Sequence, residues 1–405
     1  MTIETKVSSE LAGMDLTGQR EFAVRLTLEL ARTEGNLFVS PFSAWCLLAL
    51  LHPGARGETR AALSRVLGLP GGEEEESWIK ELKELRSGLM DLKPRTLGWL
   101  GQLEVLPESS PMPEDYDLIV ANALWLQEEY ALKPEYLTLI RDGFDALVEK
   151  LDLVGDSEKA CRTINRWADE NTRGKISEVL SPGEIHPLTR LILANATYFK
   201  DDWADKFDPE ATRDQRFHRL KGSRVRVPMM HQTTDLDFFE DRTLQAVRLP
   251  YAHEGLSMIV VLPKRIRKFE ASLSPESLEQ LFEAITQQSL VHLALPRCRF
   301  RDNLQLVPTL TAMGLGSLFD EAADLSGIST EPGIYVNQVK QLTFVQVDEE
   351  GTEAAAVTTA EMITATPVAR RQKPKKMIVD RPYWFFIRHD PSKCLLFAGR
   401  EEDPS

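Results

Sequence analysis

Side chains able to do chemistry are plentiful in this chain, but they are not spaced as catalysis requires. There is no Gly-x-Ser-x-Gly elbow, no His-Glu-x-x-His helix, no phosphate-binding P-loop and no Cys-x-x-Cys pair. Gly314-Leu315-Gly316 lacks both the third glycine and the preceding strand of a dinucleotide fingerprint, and His253-Glu254 reads as a turn in a hairpin. The seven histidines are scattered. Cys46, Cys161, Cys298 and Cys394 sit in or beside apolar segments and read as reduced core thiols, not as a disulfide frame or metal site. No cofactor and no metal are expected. One stretch does have a spacing with chemical meaning, and its chemistry is backbone pairing. From Asp348 to Lys376 the chain reads DEEGTEAAAVTTAEMITATPVARRQKPKK. Counted in twos, Thr352, Ala354, Ala356, Thr358, Ala360 and Met362 form an uncharged face. Glu353, Ala355, Val357, Thr359, Glu361 and Ile363 form the other, with both glutamates on it. A segment with that alternation can lie in a sheet with its uncharged face inward. The other reading is an Ala/Thr-rich flexible linker.

Two strand-like runs bracket this stretch, Leu342 to Val347 and Met377 to Val379. A loop of more than twenty residues without structure is uncommon inside a compact domain and usually functional. The rest of the chain can supply a large core. It has 405 residues, 42% of them hydrophobic and 27% charged, which is ordinary for a soluble globular protein. The length prior alone suggests two or three domains. With 48 Lys and Arg against 62 Asp and Glu, the formal charge of −14 argues against a general nucleic-acid binder. No apolar run approaches the roughly 18 residues of a membrane span. The start, MTIETKVSSELAGMDLTG, has neither a basic leader nor an apolar core, so a cytoplasmic location is expected, with secretion after trimming of a leader left open.

The hinge Glu349-Glu350-Gly351-Thr352-Glu353-Ala354-Ala355-Ala356 closely resembles that of the serpins, the serine protease inhibitor family, of an intracellular or prokaryote-like kind. Other landmarks follow in family order. A helix over Arg20 to Thr33 carries Phe22, Leu26 and Leu30. Ser40-Pro41-Phe42-Ser43 suffices as a helix start, with Ser40 as cap and Pro41 in the first turn. The resemblance adds that Ser40 and Ser43 belong to the shutter beneath the central sheet. Asn122-Ala123-Leu124-Trp125 lies in a buried-type strand, and Glu158 to Asn171 is an amphipathic helix of the kind that lies across the sheet. In LILANATYFKDDWADKF (Leu191 to Phe207), Asn195 matches the shutter asparagine and Trp203 the tryptophan of the breach, where the sheet opens. Pro228-Met229-Met230, Leu249-Pro250-Tyr251 and Leu256 to Pro263 read as short strands with turns between. Arg297 falls where a basic partner of Glu349 is expected, as a surface ion pair. The blocks at Arg381 to Arg388 and Leu395 to Arg400 resemble the closing strands. The expected fold is therefore α+β, one domain over residues 1–405 with helices around three β-sheets and an exposed reactive-centre loop at 349–376. One departure stands out: the usual shutter histidine falls at Gln341, which can donate and accept hydrogen bonds but cannot titrate.

The resemblance implies an inhibitor rather than an enzyme: a suicide substrate whose partner is a serine protease held in a covalent complex, with no nucleic acid or membrane involved and a monomer expected. Counting fourteen residues from Gly351 puts the scissile bond at Ala365-Thr366, with Thr364-Ala365 one residue away as the alternative. A small residue before the bond suits elastase-like or subtilisin-like proteases. Arg370 and Arg371 offer a competing bait for trypsin-like enzymes. A non-inhibitory serpin acting as a binding or chaperone-like protein is the remaining alternative.

Overall fold

The computed structural model describes residues 14–70, 75–94, 116–352 and 373–405. The chain opens with α1 (Thr17–Leu30), β1 (Leu37–Val39), α2 (Pro41–Ala49), α3 (Gly57–Leu67) and α4 (Glu75–Met90). It continues through β2 (Asp117–Gln127), α5 (Pro134–Phe144), β3 (Leu147–Leu151), α6 (Ser157–Asn171) and β4 (Leu191–Asp202). Next come β5 (Arg213–His218), β6 (Arg224–Glu240), β7 (Leu244–Pro250), β8 (Leu256–Pro263), α7 (Ile266–Glu270) and α8 (Pro275–Ala284). Then follow β9 (Gln287–Pro296), β10 (Cys298–Gln305), α9 (Val307–Leu310), β11 (Val336–Val347) and the two-residue β12 (Gly351–Thr352). The chain ends on β13 (Lys375–Ile378), β14 (Tyr383–His389) and β15 (Cys394–Glu401).

Six strands form the central sheet in the order β10-β11-β12-β4-β2-β3, with β11 and β4 also paired directly. Its two faces are covered differently, and the sequences of the covering helices say why. Every residue of α2 is buried, as an all-apolar helix in the interior must be. Ser40 starts it by accepting a hydrogen bond from the Ser43 amide, and Pro41 presets the first turn. It packs against the face bearing Leu191, Leu193, Phe199, Val339 and Val345, which belongs to the main core. α6 is amphipathic and is capped by Asp156. Its buried stripe, Ala160, Cys161, Ile164 and Ala168, lies against the opposite face, with Trp125, Ala194, Tyr198, Leu342 and Phe344.

The other strands form a nine-stranded sheet in which β6 is the joint. Its first third pairs with β5, its middle with β9 and its end with β7. The second and third sheets of the expected fold thus run into each other through this one strand. Pro228-Met229-Met230 is not a short strand, as its sequence suggested, but part of this 17-residue element. No glycine or turn pair interrupts His231 to Glu240, and the threonines and aromatics there favour continued pairing. The first helix likewise starts earlier than expected, at Thr17.

Candidate functional site

At one end of the central sheet β4 and β11 part, and β12 stands between them. Over the preceding residues the two strands are parallel neighbours, from Val339 opposite Leu193 to Phe344 opposite Tyr198. The same register carried three residues further brings Val347 level with Asp201, and these are the two residues that flank Thr352, which is antiparallel to both. Gly351 is required here by space. A Cβ on it would lie 2.2 Å from the Asp201 carbonyl oxygen and 2.6 Å from Asp202 Cα. Thr352 is fully buried and its hydroxyl is 2.8 Å from the Tyr251 hydroxyl.

The turn into β12 is held by named side chains. Trp203 Nε1 donates to the Asp348 carbonyl at 2.9 Å, and the Trp203 amide donates to the Glu350 carbonyl at 2.8 Å. The Trp203 ring stacks on Tyr251 with centroids 4.7 Å apart. Arg297 Nε donates to both Glu349 carboxylate oxygens at 2.9 Å and its terminal nitrogen approaches Oε1 at 2.7 Å, while the Thr212 hydroxyl adds a further bond to Oε1. This pair is not the surface contact expected from the sequence: the Glu349 side chain is only 5% exposed. Burial pushes its carboxyl upward, but the hydrogen bonds from Arg297 and Thr212 outweigh it, and Glu349 sits below the usual carboxylate range. Lys206 Nζ bridges Glu350 at 2.6 Å and Asp202 at 3.0 Å.

Further along, where β4 and β11 are in contact, a buried neutral network closes the gap. Gln341 Nε2 donates to the Ser40 carbonyl at 2.8 Å and to Asn195 Oδ1 at 3.2 Å, and its Oε1 accepts from the Ser40 amide at 3.0 Å. Asn195 Nδ2 donates to the Ser43 hydroxyl, to the Ala121 carbonyl at 3.1 Å and to Asn122 Oδ1 at 2.8 Å. Thr197 adds bonds of 3.0 Å to both Ser43 Oγ and Asn195 Oδ1. The glutamine bridges helix and sheet without a titratable group.

Sequence reasoning missed a buried Asp–His pair beneath the turn. His253 Nδ1 lies 2.8 Å from Asp201 Oδ1, with both side chains buried, and the second Asp201 oxygen has no partner among the described residues. Burial pushes the Asp201 carboxyl above its ordinary value, more than the bond to His253 lowers it. His253 sits where its sequence suggested a turn, just before Gly255 at φ +74°. Burial was the part that the polar sequence around it hid. All four cysteines are buried and unpaired. Glu353, Ala354, Ala355, Ala356, Thr364, Ala365, Thr366, Arg370 and Arg371 lie outside the described residues. Among the described residues no helix is long and apolar enough to cross a membrane.

Residues 17–404 match a family model described as Serpin (serine protease inhibitor). An uncharacterized serpin-like protein of Thermococcus kodakarensis is 36% identical over 95% of this chain and 84% of its own length. The leukocyte elastase inhibitor of Bos taurus is 35% identical over 95% of this chain and 97% of its own. Among solved structures, that of Serpin48 from the insect Tenebrio molitor, described as a highly specific serpin, is similar over the full length of both chains, with a TM-score of 0.74 and 27% identity.

Proposed function

The chain belongs to the serpin family, and from that premise we propose that it is a suicide-substrate inhibitor of serine proteases that traps its target by adding a strand to the central sheet. The leukocyte elastase inhibitors among its relatives support protease inhibition in general, with a protease as partner and no catalysis by this chain. The observation that carries the reading is Thr352, buried between β4 and β11 and paired with both.

The proposed reaction is compatible with that register. The target's own serine attacks the Ala365 carbonyl, an ester forms, and the peptide bond to Thr366 breaks with its amine leaving protonated. The freed segment then continues the strand that Thr352 begins. Extending the antiparallel pairing residue by residue sets Met362 opposite Leu191 on β4 and Ile363 opposite Val336 on β11, the far ends of both strands. Thr352 to Ile363 therefore fills the slot and leaves Ala365 just past its end. Thr358 falls between Asn195 and Gln341, whose 3.2 Å hydrogen bond must open to admit it. One parallel ladder is exchanged for two antiparallel ones. At a net of about 0.5–1.5 kcal/mol per hydrogen bond, about a dozen residues stabilise the cleaved form by on the order of 10 kcal/mol before the ordering cost of the loop. The uncleaved form is held by a barrier.

Cutting after Arg370 leaves five further residues of tether, slack enough for the ester to be hydrolysed. Trypsin is thus expected to nick the chain and escape. Separate incubation with pancreatic-type elastase, subtilisin and trypsin tests the proposal on a denaturing gel. Complexes that survive detergent are expected with elastase or subtilisin, with the released peptide starting at Thr366, or at Ala365 for the neighbouring bond. A stable trypsin complex with a new amino terminus at Arg371 or Gln372 overturns the assignment of Ala365. Cleavage by all three without any trapping, and with no rise in unfolding temperature on nicking, favours a non-inhibitory serpin.

A further inference from the structure

Far along the nine-stranded sheet from the hinge, a cleft of about 640 Å³ opens between the β6–β7 turn, the end of β8 and the helices α7 and α8. Its volume lies within the range of about 300–1,000 Å³ typical of pockets for single small ligands. Its floor is apolar and incompletely covered: Phe239, Phe269, Leu273 and Leu281 line it, and each remains partly exposed. The rim is cationic. Arg242, Lys264, Arg265 and Lys268 are all exposed, and none of them forms a salt bridge with a described residue.

The acids nearby are already engaged. Asp241 accepts from the Thr243 amide and hydroxyl and from the Leu244 amide, and Lys264 contributes only at longer range. Glu240 faces Lys375, and Glu270 is taken by Arg267 and Arg400. Four positive charges against the one carboxylate of Asp241 on the rim of an apolar floor contrast with a chain whose formal charge is −14. Repulsion among like charges at the rim is relieved by an anion, and the floor offers an apolar tail a place out of water.

We propose that this cleft binds a free amphipathic anion, a single apolar tail ending in a carboxylate or sulfate. The headgroup sits among Arg242, Lys264, Arg265 and Lys268, and the tail lies on Phe239, Phe269, Leu273 and Leu281. Neither charge nor apolar contact suffices alone, which sets the controls. None of the lining residues belongs to the loop at 349–376, so the test needs no protease.

Dodecanoate, kept below its micelle concentration, is titrated calorimetrically into the full chain, with dodecanol and acetate in parallel. One saturable site is expected for dodecanoate, with dodecanol and acetate binding at least tenfold more weakly. The double variant Arg265→Glu/Lys268→Glu is expected to lose binding. The milder Lys264→Ala/Lys268→Ala is expected to weaken it about tenfold with the melting temperature of the free protein unchanged, since neither lysine has a salt-bridge partner to lose. Equal binding by parent and both variants, or the absence of saturable heat, overturns the proposal. Cosedimentation with phosphatidylserine vesicles distinguishes the source of the anion. The protein is expected to stay in the supernatant, whereas pelleting that the double variant abolishes would make the cleft a membrane contact and overturn the free-ligand assignment.

Discussion

The two ends of the gap between β4 and β11 are closed by different kinds of bond. In the middle of the sheet, Ser40, Ser43, Asn195, Thr197 and Gln341 close it with neutral groups, each fully or almost fully buried. Where β12 begins, the corresponding positions carry ionisable groups: Asp201 with His253, Glu349 with Arg297, Glu350 and Asp202 with Lys206. Neutral networks are indifferent to pH and salt, whereas buried or half-buried charges respond to both. The sheet therefore has a lock that solution conditions leave alone and a mouth that they can adjust. A histidine at position 341 would have blurred that division.

The largest test of the comparison acts at the mouth. Thr352→Arg would force a long charged side chain into a fully buried site beside Tyr251, where even a bond to the unpartnered Asp201 Oδ2 leaves most of its donors unsatisfied. Trapping is expected to be abolished, with the variant cut as an ordinary substrate; the ratio of complex to cleaved chain on a gel reads it. Complex formation at the parental rate would falsify insertion through Thr352. Next in size is the lock. Asn195→Ala removes the hub of the network, so that Asn122 Oδ1 and one Gln341 Nε2 hydrogen lose their partner, at roughly 1–3 kcal/mol for each such group. A melting temperature lowered by a few degrees, by a similar amount at pH 5 and pH 8, is expected.

A smaller effect separates the two regions by pH. Glu401 lines the same cleft as Asp348, Glu349 and Glu350, and burial pushes its carboxyl from 4.5 up to about 8. The folded protein thus holds a proton there that the unfolded chain releases near pH 4.5. The associated stability is full below that value and is lost progressively as pH rises to about 8. Glu401→Gln keeps the acceptor for Asn36 Nδ2 and is expected to raise the melting temperature at pH 8.5 while changing it little at pH 4. Equal shifts at both pH values would contradict the assignment. The smallest effect is at Arg297. Its own side chain is 45% exposed, but Arg297→Ala leaves the buried Glu349 carboxylate with the Thr212 hydroxyl alone, so the expected cost is about 1–3 kcal/mol, less in high salt. Because Glu349 is held below its ordinary value, its contribution is present above about pH 4.5 and lost as pH falls further. Unfolding curves between pH 3 and pH 6 should show that loss in the parent and a weaker one in the variant.

What the sequence revealed follows the same division. The Ser-Pro cap before α2 and the run of Leu191 to Tyr198 are local patterns, and each led to the element found, whereas the alternation expected after Thr352 lies outside the described residues. Gln341 could be paired with Ser40 and Asn195 because the ordered landmarks supplied the register. Asp201 and His253 were not legible as partners. They are 52 residues apart, and in the sequence the His-Glu pair reads as a turn in a hairpin. Only the close approach of the β7–β8 hairpin to the end of β4 buries them together. The fusion of two sheets through β6 was hidden for a related reason: Pro228 reads as a break, yet it falls where the strand exchanges one partner for another.

The shared register of β4 and β11 has a mechanical consequence. Since Val347 and Asp201 continue the alignment of the paired region without offset, the strands need only part sideways to admit a third, and neither has to slide. Every residue then zipped in advances whatever is tethered behind it by about 3.4 Å, and a net gain of about 1 kcal/mol over that distance is a pull of roughly 20 pN. Under the proposed insertion the sheet would work as a linear motor with a single stroke, and its travel, about eleven such steps from Thr352 to Ile363, would come to roughly 37 Å.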